Sequence, residues 1–405
     1  MTDRVVVTDA EERAALAACR GLASAGYRVC AVARCRPAAC HWSRMCSERV
    51  LAPDPRQSVE AFVDTVAETL RGRGESLLLP GSDASLFALS EHRERLGCST
   101  GLPSREAVRR ARDKLLLLQV AADAGLAPPA SRPCRDVDAA LAAGAELGYP
   151  VVLKPAQSFV PADGGLRQQG VVVVTDASRL ARAAPDFAPP FVVQRFERAG
   201  FLSCSGVVAD GRLLALTTSR VPRLWPPMAG MHTYSETVPP PPGLTGRVLD
   251  LLGAVGWQGI FQLQMLELAD GRLSVIDLNP RLFASIALDV SAGTNLAAIW
   301  CDWLSGRNPS PVTARPGMRY RWEDGELCHL AWQLGHLRLR AAAAVLLPHR
   351  RVTHAWFRLT DPAPLLARAL DLTVVRAKTA LLHLVAAATR IVRRPPVEAP
   401  EATPR

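Results

Sequence analysis

The sequence predicts an α/β domain followed by an α+β region, on three observations. Apolar strands alternate with helices over residues 1–104. Two copies of "ADGR", at 209–212 and 269–272, mark hairpins of antiparallel strands, and the chain after about residue 310 becomes helical and rich in arginine. With 49% hydrophobic and 21% charged residues over 405 positions, the composition is that of a folded chain long enough for two or three domains.

The first region runs "RVVVTD", a helical "EERAALAACRGLASAG", "YRVCAVA", and later "SLLLPGSD" leading into "ASLFALSEHRERL". Strands alternating with helices build a parallel sheet. The first strand-to-helix turn, "TDAEER", lacks the glycine fingerprint of a dinucleotide site, which disfavours a nicotinamide enzyme. Cys30, Cys35, Cys40 and Cys46, with His41 beside the third, lack the tight Cys-x2-Cys pairs of structural zinc sites. Reduced buried or loop thiols are expected there in preference to a metal.

From Ser104 the pattern predicts one helix through "REAVRRARDKLLLLQVAADAG", with Val108, Ala111, Leu115, Leu118 and Ala122 at helical spacing, ended by Gly125 and Pro128. A second helix, "VDAALAAGAELG", feeds the strand "YPVVLKP" through Gly148, which suits a positive-φ cap. Of 48 basic residues only Lys114, Lys154 and Lys378 are lysine. In so arginine-biased a chain a retained lysine points to a position that needs a compact ammonium, because the two side chains differ in shape and hydration. The segment "AQSFVPADGGLRQQGVVVV" then reads as a glycine-bearing loop between strands, either an ordinary hairpin or a loop aiming backbone N–H groups at phosphate.

Asp-Gly favours two-residue hairpin turns. With Asp270 and Gly271 as the turn, Gln264 faces Asp277 and Gln262 faces Asn279, so these four share one sheet face while Leu263, Met265, Ile276 and Leu278 share the other. An oxygen-bearing face either meets water or holds a hard cation. Asparagine occurs only at 279, 295 and 308, and "DLNPR" places Arg281 directly after the pair, which favours the cation.

The formal charge of +10 is concentrated late: from residue 331 onward twelve basic residues stand against four acids, or +8. A nearly neutral main body argues against nucleic acid as a partner. The segment from 361 to 394 reads either as a basic helix on an anionic membrane surface or, the favoured expectation, as helices packed on the preceding domain, followed by a loose tail. No apolar run approaches the roughly 18 residues of a membrane span, and no secretory signal is visible, so a cytoplasmic location is the expectation.

Taken in order, the helical lysine of "RDK", the strand lysine of "VVLKP", the glycine loop, "FVVQRF", a strand glutamine and "IDLNPR" resemble the ATP-grasp superfamily, most of all its carboxylate–amine ligases. The resemblance covers residues 1 to about 310. It implies an α/β domain at 1–104 and an ATP-grasp domain at 105–310 with a lid at about 150–195; the residue pattern itself adds a helical extension at 311–405. ATP is then expected between two antiparallel sheets, with magnesium or manganese as cofactor and small carboxylate and amine molecules as substrates.

The resemblance assigns Lys114 and Lys154 to the nucleotide phosphates and Gly164, Gly165 and Gly170 to the loop above them. It assigns Gln194 and the backbone of Arg195, Phe196 and Glu197 to the adenine and ribose, Gln264, Asp277 and Asn279 to the metal, and Arg281 to the transferring phosphate, with Lys154 and Arg281 catalytic. Two departures stand out: Arg195 and Asp277 both occupy positions where relatives carry glutamate. They keep a catalytically silent nucleotide-binding protein open as the alternative, and a membrane-surface ligase for a lipid-linked acid as a third reading. In the long segment "TTSRVPRLWPPMAGMHTYSETV", Arg220, Arg223 and His232 either grip an anionic substrate or stabilise the loop as surface groups. A homo-oligomer is compatible with all of this.

Overall fold

The computed structural model describes residues 3–72, 76–97, 100–227 and 230–373. The first four strands form a parallel sheet in the order Glu48–Leu51, Arg28–Ala33, Arg4–Val7, Leu77–Leu79. Alternation within the Arg4–Val7 strand sends Val5 and Val7 to the core beneath helix Arg13–Ser24, and Val6 to the core beneath helices Val59–Arg71 and Asp83–Glu91. Ser58 and Ser82 cap the latter two helices by accepting from the backbone N–H of Ala61 and Ser85. Because the strands are parallel, their C-terminal ends open together, and Asp9, Arg34, Asp54 and Gly81 gather along that edge around one cavity.

The single helix expected after Ser104 is two helices, Arg105–Arg112 and Lys114–Asp123. Asp113 breaks the run: its backbone is extended, and its carboxylate accepts from Leu115 N (2.8 Å) and Leu116 N (3.2 Å), capping the second helix. The break shifts the phase of the apolar face, so Leu117, Val120 and Ala121 are buried in place of Leu115, Leu118 and Ala122. It also sets Lys114 at the first turn of a helix.

A four-stranded antiparallel sheet follows, in the order Ser131–Cys134, Phe191–Arg195, Val151–Pro155, Val172–Val174, backed by helices Val137–Leu147 and Ala177–Ala183. The sheet therefore begins at Ser131, upstream of the lid boundary read from sequence. The glycine segment forms a separate hairpin, Phe159–Ala162 with Gly165–Gln168, turning at Asp163 and Gly164, both at positive φ. This hairpin is docked on the N-terminal domain. Leu166 N donates to Arg56 O (3.1 Å), Val59 N donates to Gly164 O (3.1 Å), and Phe159 and Leu166 pack with Ala84.

The large sheet has eight strands. Gly200–Ala209, Arg212–Trp225 and Met231–Val238 are flanked on one side by Gly259–Glu267 and Leu273–Asn279 and on the other by Arg319–Arg321 and Val352–His354, with Val312–Thr313 pairing Arg212–Trp225. The region after 310 thus contributes strands to the sheet as well as the helices Glu323–Gly335 and Leu339–Leu346. Most of the basic segment read as membrane-surface or packed helices, residues 374–394, and the tail at 395–405 lie outside the described residues. No helix among the described residues is long and apolar enough to cross a membrane.

Docking of the hairpin depends on a glycine. A Cβ on Gly165 would sit 2.1 Å from Arg56 O, so any side chain there must push the two segments apart. Gly165→Val is expected to release the hairpin and make 156–171 markedly more susceptible to limited proteolysis, with the rest of the chain protected; an unchanged cleavage pattern would count against the docked geometry.

Candidate functional site

The antiparallel sheet and the large sheet face each other across a cleft of about 170 Å³. From the former come Val152, Lys154 and Gln194; from the latter Phe201, Gln264, Leu266, Ile276 and Asp277; Arg195, Phe196 and Glu197 close the end between them and Lys114 projects from its helix start. Alternation places Lys154 here: Val151 and Leu153 pack under the helices behind their sheet, so Val152 and Lys154 turn to the cleft.

At the floor of the cleft the register Gln264↔Asp277 and Gln262↔Asn279 holds as the sequence implies, by a different route. The turn is a three-residue loop, with Leu268 N donating to Arg272 O and Gly271 at positive φ, which displaces the pairing by one residue. A bulge at Ile276 displaces it back. Ile276, expected among the core-facing residues, therefore lines the cleft, and its carbonyl oxygen accepts from Lys154 Nζ at 3.1 Å. Lys114 Nζ lies 3.2 Å from Asp277 Oδ1. Two ammonium groups thus lie in one confined space with a single carboxylate, which Lys114 contacts directly. Burial and, after it, the Lys114 charge push Lys154 from the ordinary lysine value down to about 7, against the opposing pull of Asp277.

Beyond Asp277, Asn279 donates to Gln262 Oε1 (3.1 Å) and accepts from Arg281 (3.0 Å), and Arg281 reaches Asp83 Oδ2 of the N-terminal domain at 2.8 Å. Burial alone would raise the Asp83 carboxyl, yet the charge and hydrogen bond of Arg281, with Arg112 and Lys114 nearby, hold it below the usual carboxylate range. A narrow crevice lined by Asp83, Arg112, Lys114, Asp277 and Asn279 joins this point to the cleft. Asp83 and Arg281 also border the cavity of about 300 Å³ at the edge of the parallel sheet. The site is therefore a cleft and a second cavity meeting at a cluster of charged groups.

No protein-family model matches the sequence. The architecture superposes on the L-amino acid ligase of Bacillus licheniformis, with a TM-score of 0.57 at 16% identity over 73% of this chain and 72% of that one. It also superposes on PurK, an N5-carboxyaminoimidazole ribonucleotide synthetase solved with ADP (TM-score 0.59, 13% identity, 79% and 81% covered). A third match is the biotin carboxylase domain of the Hydrogenobacter thermophilus 2-oxoglutarate carboxylase, solved with MgADP, ADP and bicarbonate (0.60, 14%, 79% and 73%).

The chain has the ATP-grasp fold.

Within the ATP-grasp cleft, Gln194 is buried and donates to Ser131 Oγ at 2.8 Å, which leaves its carbonyl oxygen to accept. Arg195 N and Phe196 N are already engaged by Ala130 O and Pro150 O, and the Arg195 guanidinium turns outward to Leu147 O. Gly164 and Gly165 lie on the N-terminal domain through the docked hairpin, and neither lines the cleft; Gly170 precedes Val171, which does.

The three residues expected to grip an anionic substrate are otherwise committed. Arg220 pairs with Glu267 at 2.9 Å on the surface, and Arg223 makes a bidentate pair with buried Glu326 while stacking on Tyr234. His232 is buried, and burial followed by the charge of Arg13 lowers it to about 4, so it is neutral at physiological pH. Their charges are thus met or suppressed inside the chain.

Sequence reading missed Asp83, Arg112 and Arg13. Asp83 is the first residue of a helix that follows a strand of the parallel sheet, a position that was available as a signal. Arg112 was hidden among Arg105, Arg109 and Arg110 of one helix, and only its burial against Phe87 and the carbonyl of Phe159 separates it from them. Cys30, Cys40 and Cys46 are buried, and burial raises all three thiols, Cys30 to about 12 and Cys46 to about 11. They are packed thiols, and no group of three or more His, Cys, Asp and Glu side chains placed to hold a metal occurs among the described residues.

The donor set at the cleft floor fits magnesium when phosphate is also present. Asp277 supplies one carboxylate and Gln264 an amide oxygen beside it, and a small hard cation takes few protein ligands and completes its shell from phosphates and water.

A polyphosphate entering the cleft favours the charged form of Lys154 and so raises its pKa. Nucleotide binding at pH 7.5 is therefore expected to take up a proton, and affinity to fall as pH rises above about 7. Calorimetry in buffers of different ionisation enthalpy reads this directly; proton release, or no buffer dependence, would contradict the assignment. Lys154→Met is expected to abolish the uptake and weaken nucleotide binding with the fold retained.

Proposed function

We propose that the chain is an ATP- and magnesium-dependent ligase that activates a carboxylic acid as an acyl phosphate and passes the acyl group to an amine. The observation that carries the reading is the convergence of Lys114, Lys154, Asp277, Asn279 and Arg281 where the cleft meets the second cavity. Solved structures of the same fold in complex with ADP or MgADP support nucleotide as the occupant of the cleft.

Gln194 would accept from the adenine amino group at the closed end. Lys114 and Lys154 would neutralise phosphate oxygens, and the half-exposed Asp277 with Gln264 would hold the magnesium, whose chemistry there is to offset phosphate charge. Arg281, fixed by Asp83 and Asn279, would face the γ-phosphate from the side of the second cavity. A substrate carboxylate is ionised at neutral pH, its pKa being roughly 4, so its attack needs no base. Its oxygen forms a bond to the γ-phosphorus as the bond to the ADP oxygen breaks. The amine then adds to the acyl carbon, inorganic phosphate leaves and the amine loses a proton. Positioning and charge neutralisation do most of this work.

The shorter Asp277 and the outward Arg195 bear on whether turnover is retained. Incubation with ATP, hydroxylamine and a panel of small carboxylic acids is expected to give an acid-dependent hydroxamate and matching ADP. Asp277→Ala is expected to lower that turnover by on the order of 100-fold or more with a melting temperature near wild type. Tight ATP binding without ADP release on any acid and amine pair would favour the silent alternative instead.

A further inference from the structure

The second cavity holds a cation that the nucleotide reading does not use, although Asp9, Glu12, Asp54 and Asp83 line the cavity as well. Four arginines line it: Arg13, Arg34, Arg56 and Arg281. Arg34 lies 3.1 Å from Glu11 and 3.4 Å from Glu12, Arg56 is held bidentately by Asp54, and Arg281 by Asp83. Arg13 has no carboxylate partner among the described residues. It is the first residue of helix Arg13–Ser24, only 7% exposed, and its Nε has no hydrogen-bond partner.

The side chains that Arg13 touches are neutral. Its guanidinium carbon lies 3.8 Å from the centre of the Trp322 ring, and one terminal nitrogen reaches Met231 Sδ at 3.6 Å. His232 beside it is uncharged, since burial and then the charge of Arg13 itself suppress protonation, and Arg13 acts on the buried, neutral Tyr320 hydroxyl through both its charge and a side-chain hydrogen bond. A buried cation is ordinarily paired, and stacking on an aromatic ring only partly replaces lost water. Arginine is also the side chain whose planar fork matches a carboxylate or phosphate.

We propose that Arg13 is a specificity-determining residue of the second cavity, recognising an anionic group of the small-molecule substrate other than the carboxylate being activated. The activated carboxylate must face Arg281, where the cavity meets the phosphates. Arg13 belongs to a different wall, formed by the first turn of its helix and Met231. A substrate that fills about 300 Å³ and carries a second anionic group answers to both positions. This rests on the proposed ligase reading for the direction of the substrate, and on the geometry alone for the anion site. The anionic group is a carboxylate or a phosphate ester, which share the charged acceptor that Arg13 lacks among the described residues.

The test measures binding to the full chain loaded with magnesium and a non-hydrolysable ATP analogue. Probes are L-amino acids, the dicarboxylates malonate to glutarate, and phosphoglycolate, each beside its amide or methyl ester. The best anionic probe is expected to bind about 10- to 100-fold more tightly than its neutral counterpart, and the carboxylate and phosphate arms identify the source of the anion. Arg13→Met, which keeps the apolar stem against Trp322, is expected to erase the difference while the nucleotide affinity and melting temperature stay at wild-type values. Arg13→Lys is expected to restore part of it. Equal binding of anionic and neutral members, no binding by any probe, or a preference that survives in Arg13→Met would overturn the proposal. Failure of the nucleotide analogue to bind would instead strike the ligase reading, and the Arg13 comparison would then be read without nucleotide.

Discussion

Everything at this site is organised by one frustrated charge arrangement: Lys114 on Asp277 and Lys154 on the neighbouring Ile276 carbonyl lie in a confined space, and a single carboxylate cannot balance two ammonium groups. Burial first, and the Lys114 charge after it, lower Lys154 to about 7 and so weaken its hold on a proton near neutral pH. An added polyphosphate relieves this arrangement, because it replaces lost solvation with fixed negative charge at the place where positive charge is in excess. Three features of the chain set the geometry: the Asp113 cap that starts a helix at Lys114, the alternation that points Lys154 into the cleft, and the bulge that turns the Ile276 carbonyl toward it.

The cleft is not self-sufficient. Arg281 is oriented by Asp83, which belongs to the N-terminal parallel sheet, and the glycine hairpin is tied by backbone bonds to residues 56–59 of the same domain. The second cavity lies where four parallel strands end, and Arg281 comes to it from the antiparallel ribbon. The N-terminal domain thus supplies one wall of the second cavity and the acid that fixes the cation between the two chambers. Coupling between nucleotide and substrate would pass through this short Asp83–Arg281–Asn279 chain.

Much of this was legible in the sequence because it depends on local patterning. The parallel region followed from strand and helix alternation, and the two lysines stood out against an arginine-rich background. The Gln262–Asn279 and Gln264–Asp277 pairs were inferred from a two-residue turn that the chain does not use; a longer turn and a compensating bulge restore the register at the site but put Ile276 on the other face. Illegible were the features decided by partners distant in sequence. Arg220 and Arg223 read as free cations until Glu267 and Glu326 are seen beside them, and Arg13 reads as one more helical arginine until its buried, unpartnered Nε is seen. The split at Asp113 was overlooked because an aspartate inside an apolar-periodic run resembles a solvent-facing residue unless its capping role is considered.

The central account is that Lys114 and Asp277 hold each other only while nucleotide is absent. A crystal structure with magnesium and a non-hydrolysable ATP analogue tests this most directly. It should show both lysine ammonium groups on phosphate oxygens, the ion on Asp277, and the 3.2 Å contact between Lys114 and Asp277 broken. A nucleotide bound outside the cleft, or one bound inside it with that contact intact and no ion at Asp277, would contradict the account.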